Sequence, residues 1–528
     1  MSSLPWSWLL PGLSVLLPLL LGAGALARLP SPALSRAVWL TTAASGVAVA
    51  VAVGVAVSGA QAHLGGAALG VRVDHVTAIM LLLVCVIGAV IARYSRRYMD
   101  GDPGRDRYGR WLLSTLAAVT LLVMSNNLWL LALAWMATSL SLHRLLTFYG
   151  DRTAALVAAH KKFIVSRLAD AALLVAIALV GRTVGSVDID AIEAWASAHD
   201  TLPPSLQVAT LLLVAAASLK CAQLPFHGWL TQVMEAPTPV SALLHAGIVN
   251  IGGFLMIRLA PLMARAPAAQ TALVCVGTCT AVVAALVMVT RVSVKVGLAW
   301  STCAQMGFML VQCGLGAWHL ALLHLVAHSL YKAHAFLSAG SVVAAWRARE
   351  LQAPRGPASM ARVLAVAAVV LVGAEAARRL SSSAPWGGAE VSPLAVVFAL
   401  SLAPSLADAL GGGLGPTVRV AARVTGAALL YVAWHAVAAR HVVVAASEAG
   451  ASLRWGIVLG GLSTLFLVET ALRSRPDGRL ARALYPRLFA GLHLDELFTR
   501  ATFRLWPPRL PASGSGRGPL AAAESAGA

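Results

Sequence analysis

Charge is what this chain has least of. Only 12% of its 528 residues are Asp, Glu, Lys or Arg, and acids are the scarcer sign, 21 against 40 basic residues. An ordinary globular domain carries about 25% charged residues, so a conventional aqueous surface is excluded. The six cysteines, Cys85, Cys221, Cys275, Cys279, Cys303 and Cys313, lie in apolar stretches without a CxxC spacing. That excludes a disulfide framework and a zinc knuckle and leaves small packing residues. No phosphate-cradling loop is present, because GGGLG at Gly411–Gly415 is not followed by Lys-Ser/Thr. No nucleophile elbow and no quinone or flavin motif stands out, so an intrinsic enzyme is not expected. The net charge of +19 does not indicate nucleic acid either, since the arginines are not gathered on one soluble face.

Hydrophobic residues make up 59% of the chain and the mean hydropathy is +0.79. Apolar runs near the ~20 residues that cross a hydrocarbon layer recur throughout, as at Trp39–Val57, Thr77–Ala92, Thr271–Val289 and Trp455–Val468. Long unbroken runs exclude a β-barrel, whose strands alternate over short segments. The expectation is an all-α polytopic membrane protein with about fifteen transmembrane helices. Trp6–Leu26 lacks a basic flank and is long for a signal sequence, so it is read as the first helix.

The basic residues are placed in loops: Arg93, Arg96, Arg97, Arg105, Arg107 and Arg110; then Arg144, Arg152, Lys161 and Lys162; then Arg347, Arg349, Arg355 and Arg362. Counting spans puts all three clusters on one side, and the acidic loop with Asp188, Asp190, Glu193 and Asp200 on the other. The positive-inside rule then puts the N-terminus outside and the C-terminus in the cytoplasm, and a bacterial inner membrane is the expected location. Arg258, Arg265, Arg378 and Arg379 fall on the wrong side of that count.

Four regions are expected: an N-terminal three-helix segment over 1–93, a polar-rich core over 94–345, a C-terminal transmembrane scaffold over 346–473, and 474–528 as a cytoplasmic amphipathic segment and disordered tail. Beyond about 360 the spans are nearly devoid of ionisable residues apart from Glu375, Asp408, His435 and chain-end arginines. Pro511–Ala528 is rich in Gly, Ser, Ala and Pro and reads as the tail. Ala490–Trp506 is too polar to span, and is either an interfacial amphipathic helix or a linker or partner-docking helix.

The chemistry concentrates in the core. A helix over Thr210–Leu224 carries Lys220 and breaks at Pro225, with Pro237 and Pro239 guarding the next span. Proline opens the backbone ladder, which a membrane tolerates only where protein or water satisfies the freed groups. Such breaks mark ion sites in transporters, or simply a helix–loop–helix boundary. An ammonium near the bilayer centre costs about 2.5–3.5 kcal/mol on insertion scales, so Lys220 is a candidate proton carrier unless it snorkels to the interface. His324, His328 and Lys332 recur at steps of four, on one drifting helix face. They form either a proton wire or a hydrogen-bonded pair of core histidines beside a lysine. Their HxxxH is not HExxH, which argues against a zinc hydrolase. Arg167 and Asp170 stand at i,i+3, as a neutralising pair or one that exchanges partners with Lys220. His245 is placed to face Lys220, and Glu235 is either a path carboxylate or an exposed loop residue.

The stretches KKFIVSRLAD, LKCAQLPFHGWLTQVMEAPTPVSALLHAG and HLVAHSLYKAHAFLSAGSV resemble the proton-translocating antiporter-like subunits of complex I and of multisubunit sodium/proton antiporters, over roughly residues 74–345. The resemblance implies inverted repeats with a broken helix in each, and buried lysines at Lys220 and Lys332, with His245, His328, Arg167 and Asp170 also in place. No motif beyond residue 345 identifies the second broken helix. Where that family reads Trp-Glu this chain has Trp135-Met136, so the usual carboxylate partner of the broken-helix lysine is missing. WMATSLSLHRLLTFY, HKKF and LPFHGWL resemble instead the DabB branch, membrane subunits of inorganic carbon transporters. That resemblance implies a cation-conducting subunit, for H⁺ or Na⁺, coupled to CO₂ or bicarbonate uptake through a soluble DabA-like partner related to zinc carbonic anhydrases. The zinc is expected in the partner and no cofactor in this chain. The alternatives are a proton-pumping subunit of NADH:quinone oxidoreductase or of an Na⁺/H⁺ antiporter, and a purely structural membrane anchor.

Overall fold

The computed structural model describes residues 6–27, 32–59, 61–64, 70–150, 152–341, 359–380, 391–410, 414–438 and 448–507. The apolar runs become helices, and the few polar residues between them set where each begins. α1 (Trp6–Leu26) and α2 (Ala33–Ser58) lead to an antiparallel hairpin, β1 (Ala62–Leu64) with β2 (Val71–Val73). Asp74 then caps α3 (His75–Tyr98) by accepting from the Thr77 N–H at 2.8 Å. After α4 (Arg105–Met124), Asn127 caps α5 (Leu128–Leu146) in the same way, accepting from Trp129 and Leu130. α6 (Thr153–Val184) is followed by the short α7 (Ile189–Ala198) and by α8 (Pro204–Lys220), whose prolines sit where a helix start has no use for the missing donor.

α8 stops at Lys220, before Pro225, rather than continuing to Leu224. The freed backbone is met from neighbours: Leu224 N–H donates to Thr280 Oγ1 at 3.2 Å and the Gln223 side chain to the Cys221 carbonyl at 2.9 Å. The chain resumes in α9 (Gly228–Thr231), a 3₁₀ turn (Val233–Glu235) and α10 (Thr238–Ala246). A second interruption at Ile248–Asn250 separates α10 from α11 (Ile251–Arg258), and Asn250 bridges it to Ser329 Oγ at 2.7 Å. α12 (Ala260–Ala264), α13 (Pro267–Val289), α14 (Val294–Gly314) and α15 (Trp318–Leu337) complete the core. Gly277 and Gly307 lie backbone to backbone where α13 and α14 cross, so a side chain on either would strike the other's carbonyl. α16 (Met360–Leu380), α17 (Val391–Leu410), α18 (Leu414–Ala438) and α19 (Ala451–Ser474) follow, then α20 (Arg479–Phe489) and α21 (Glu496–Leu505).

Among the described residues nine helical segments are long and apolar enough to cross a membrane, against the about fifteen spans expected. α4 opens on four charged residues and α8 has only 17, which is why length and composition alone pass them over. The expected boundary at 345, Arg347, Arg349, Arg355, Gly411–Gly413 and the Pro511–Ala528 tail lie outside the described residues, as do the side chains of Glu375, Arg378, Arg379 and His435. Cys85, Cys221, Cys303 and Cys313 are buried as expected, whereas Cys275 and Cys279 lie on the outer face of α13.

The two ends of the bundle differ in charge. One is tied by Arg107 to the Phe148 carbonyl, Tyr149 to Asp102 and Arg152 to Glu235. At the other, Arg72 reaches Asp74, Asp190 and Glu193 at 2.9–3.0 Å, and Arg258 reaches Asp74 at 2.7 Å and Thr77 at 2.6 Å. Arg258, which disturbed the loop count, is therefore a buried partner of Asp74. Burial alone would raise the Asp74 carboxyl, but Arg258 and Arg72 outweigh it and hold the group well below the usual carboxylate range.

Candidate functional site

The break after α8 leaves Lys220 at a helix end inside the bundle, 4% exposed. Its Nζ lies 4.4 Å above the centre of the Trp135 ring and makes no hydrogen bond. Trp135 projects from α5 and donates its indole N–H to Asp170 Oδ1 at 3.0 Å. The other Asp170 oxygen meets Arg167 one turn back on α6 at 2.6 Å. The pair at i,i+3 therefore forms as spaced, and the counter-charge for Lys220 reaches it through an indole. A lysine over a Trp face gains electrostatically from the ring, most when water is excluded.

Two lysines assigned to a loop by the sequence reading belong to this site. Lys161 and Lys162 lie inside α6, 0% and 2% exposed. Lys162 donates to the Ser139 carbonyl at 2.5 Å and to Ser139 Oγ at 2.8 Å, and its charged neighbours are Lys220, Arg167 and Asp170. Three cations thus share one carboxylate, while position 136 holds a half-buried methionine. The signal for Lys162 was available, since HKKF leads into the helix of Arg167 and Asp170 with no Gly or Pro between. Counting every lysine near a helix end as a loop charge hid it.

The second group follows α15. His324 Nδ1 contacts Gln312 Oε1 at 3.0 Å, and the His324 and His328 rings are 6.0 Å apart. Lys332, fully buried, donates to the Leu298 carbonyl and to Ser301 Oγ, both at 2.9 Å. His334 is exposed, as its offset from this face implies. His245 joins this group and not Lys220: its Nδ1 meets Thr302 Oγ1 at 3.1 Å and its ring stacks on Phe336 at 4.3 Å. α10 packs along α15, which carries its histidine to that group and away from α8. His324, His328 and His245 each keep one buried ring nitrogen without a protein partner. Glu235 belongs to neither group; half-exposed, it pairs with Arg152 at 3.0 Å. Among the described residues no three His, Cys, Asp or Glu side chains converge as metal ligands.

All of these residues lie within the stretch that relatives share. A family model described as "NADH:quinone oxidoreductase/Mrp antiporter, TM" matches residues 125–378, and one described as "NADH-Ubiquinone oxidoreductase (complex I), chain 5 N-terminus" matches residues 65–109. The probable inorganic carbon transporter subunit DabB of Hydrogenovibrio crunogenus is 43% identical over 446 residues, which cover 84% of this chain and 84% of that protein. The chain belongs to the DabB family. The probable inorganic carbon transporter subunit DabB2 of Halothiobacillus neapolitanus is 41% identical over 463 residues, 85% of this chain and 83% of the relative. Among solved structures the Mrp complex from Dietzia sp. DQ12-45-1b superposes with a TM-score of 0.62 at 24% identity, covering 94% of this chain and 58% of that one. This DabB-family chain is thus a multi-pass, antiporter-like membrane subunit, with both buried lysine groups inside the matched antiporter region.

Proposed function

We propose that this chain conducts protons as the membrane subunit of an inorganic carbon transporter, and that a soluble carbonic-anhydrase-like zinc protein is its partner. The observation that carries the reading is the composition of the two buried groups in a DabB-family chain: lysines and histidines in excess, with a single carboxylate among them. A sodium ion needs several anionic or carbonyl oxygens, and a neighbourhood already holding Lys162, Arg167 and Lys220 repels it. Protons suit side chains that gain and lose charge in place. Taking an ammonium out of water costs several kcal/mol unless neighbours compensate, so a charge moving near Lys220 or Lys332 changes whether that lysine holds its proton. The free ring nitrogens of His324, His328 and His245 extend such a path along α15, where ordered waters can bridge buried polar atoms.

Hydration of CO₂ yields bicarbonate and a proton, so its stoichiometry alone gives no coupling. The free energy of protons moving through this subunit down their gradient would instead make hydration in the partner unidirectional. The end carrying Arg107, Arg144 and Arg152 is the cytoplasmic one in this reading, with the C-terminus on that side. The absence of a carboxylate at Met136 separates this chain from a respiratory pump.

The test is rescue. The chain is co-expressed with the soluble protein encoded beside it in a bacterium lacking carbonic anhydrase, and growth in ambient air is measured. Growth that disappears with Lys220→Met or Lys332→Met supports the proposal. Both proteins folded and complexed with no growth, or growth surviving both substitutions, refutes it.

A further inference from the structure

The C-terminal helices are docked on the bundle at the break, not laid along a surface away from it. Between α20 and α21 the backbone passes through Gly491, Leu492 and His493 with φ of 65°, 54° and 56°. Left-handed backbone is unfavourable at a residue with a Cβ, so two such residues in succession persist only where surrounding contacts determine them. Those contacts are present. Arg291 donates to the Leu488 carbonyl at 2.8 Å, Phe498 meets Phe226 edge-on at 5.5 Å, and Trp506 stacks on His160 at 4.0 Å.

The turn delivers Asp495 onto the break. Its Oδ2 accepts from Lys161 Nζ at 2.5 Å and from Gln232 Nε2 at 2.7 Å, and Lys161 also donates to Gln232 Oε1 at 2.8 Å. Its Oδ1 is buried without a hydrogen-bond partner. It lies against Gly228, where a Cβ would collide with the carboxylate. Beside it opens a cavity of about 320 Å³, lined among others by His227, Gln232, Arg291, Trp300, His493 and Glu496. His227 is 1% exposed and its ring faces Trp300 at 4.7 Å. A carboxylate, a buried histidine and a buried lysine thus meet where an open cavity ends and the interrupted helix begins. Lys161 is followed in the chain by Lys162, whose charge acts on Lys220.

We infer that Asp495 is the proton-loading carboxylate at the mouth of the path, in a site completed by Lys161, Gln232 and His227. The inference rests on the proton-conduction reading. Asp495 takes a proton from cavity water, which cancels its pairing with Lys161; the proton then passes to the ring of His227 and the carboxylate returns to the lysine. Each cycle takes one proton from water and passes one on. The other charged groups facing this carboxylate are Lys161 on α6, His227 in the break, Arg291, and His493 and Glu496 of its own segment, which bond each other. The docked segment is then a working part of the path, not a lid over it.

The experiment uses the full chain with its soluble partner in vesicles holding pyranine, and measures the acidification rate after an external acid step. Asp495→Asn is expected to slow proton flux by about a hundredfold while the complex still assembles, and Asp495→Glu to restore most of it. A Phe226→Cys, Phe498→Cys pair, oxidised to hold the segment down, is expected to keep the reduced protein's rate. Near-wild-type flux in Asp495→Asn overturns the inference, as does flux lost on cross-linking, which would make the segment a lid that must lift. Where Asn at this position prevents assembly, Asp495→Glu carries the test, and an unchanged pH profile overturns the inference. No proton flux in the wild-type complex overturns the proton-conduction reading as well.

Discussion

Trp135 offers the sharpest test of how Lys220 obtains a counter-charge without an acid at position 136. Trp135→Phe keeps a ring beneath Lys220 but removes the N–H that holds Asp170 Oδ1 at 3.0 Å. Asp170 is 4% exposed, so the lost hydrogen bond to a charged acceptor is worth about 1.5–3 kcal/mol. Asp170→Asn removes the one carboxylate beside Lys162, Arg167 and Lys220, and breaking a buried pair costs about 3–5 kcal/mol. The Arg167 side chain is 36% exposed and partly screened, which places the effect at the lower end of that range. The amide oxygen of Asp170→Asn still accepts from the indole, so the double variant should be less stable than Asp170→Asn alone by only a neutral hydrogen bond, about 0.5–1.5 kcal/mol, and the cycle closes with a coupling of about half the Trp135→Phe effect. Stability is read from denaturant unfolding of the purified complex in detergent, and proton flux from vesicles in parallel. Additive losses, or a Trp135→Phe protein as stable and active as wild type, refute the relay from carboxylate to indole to lysine.

Other outcomes follow from single contacts. Gly228→Ala should push Asp495 off the break and loosen the α20–α21 segment, so limited proteolysis should cut the exposed 475–478 connection faster than in wild type; an unchanged digestion pattern contradicts the docking. Asp74→Asn should destabilise by about 3–5 kcal/mol, since Arg258 is left buried with no carboxylate. Asp74 is depressed below its ordinary 3.8 in the folded protein, so its contribution is full above that value and is lost as pH falls through the lower folded value. Acid unfolding of Asp74→Asn should accordingly depend less on pH below 4 than that of wild type. Lys162→Met removes one of three crowded cations, and should leave the complex at least as stable by the same unfolding measurement while slowing flux.

The helical architecture was legible because a membrane leaves few alternatives: apolar length, scarce charge and prolines at the break determine it almost alone. The faces along one helix were legible for the same reason, since a period of 3.6 places His324, His328 and Lys332 together and Arg167 beside Asp170. Partnerships between helices were not. His245 could have turned to α8 or to α14, and only the packing of α10 on α15 decides for Thr302 and Phe336. Asp495 meets Lys161 across 334 residues of sequence, a distance over which no periodicity carries information. Lys161 and Lys162 were lost because a topology count treats cations near helix ends as signposts and never asks whether they point inward.

The clamp of Arg258 on Asp74 also bears on how the chain enters the bilayer. An unpaired arginine held among apolar helices is costly, yet the carboxylate and Arg72 are synthesised long before Arg258 leaves the ribosome. α3 can therefore wait in the membrane with its acidic cap satisfied by Arg72, ready to receive the arginine when α11 arrives. N-terminal helices built first act as the template on which the interrupted α10–α11 segment is laid.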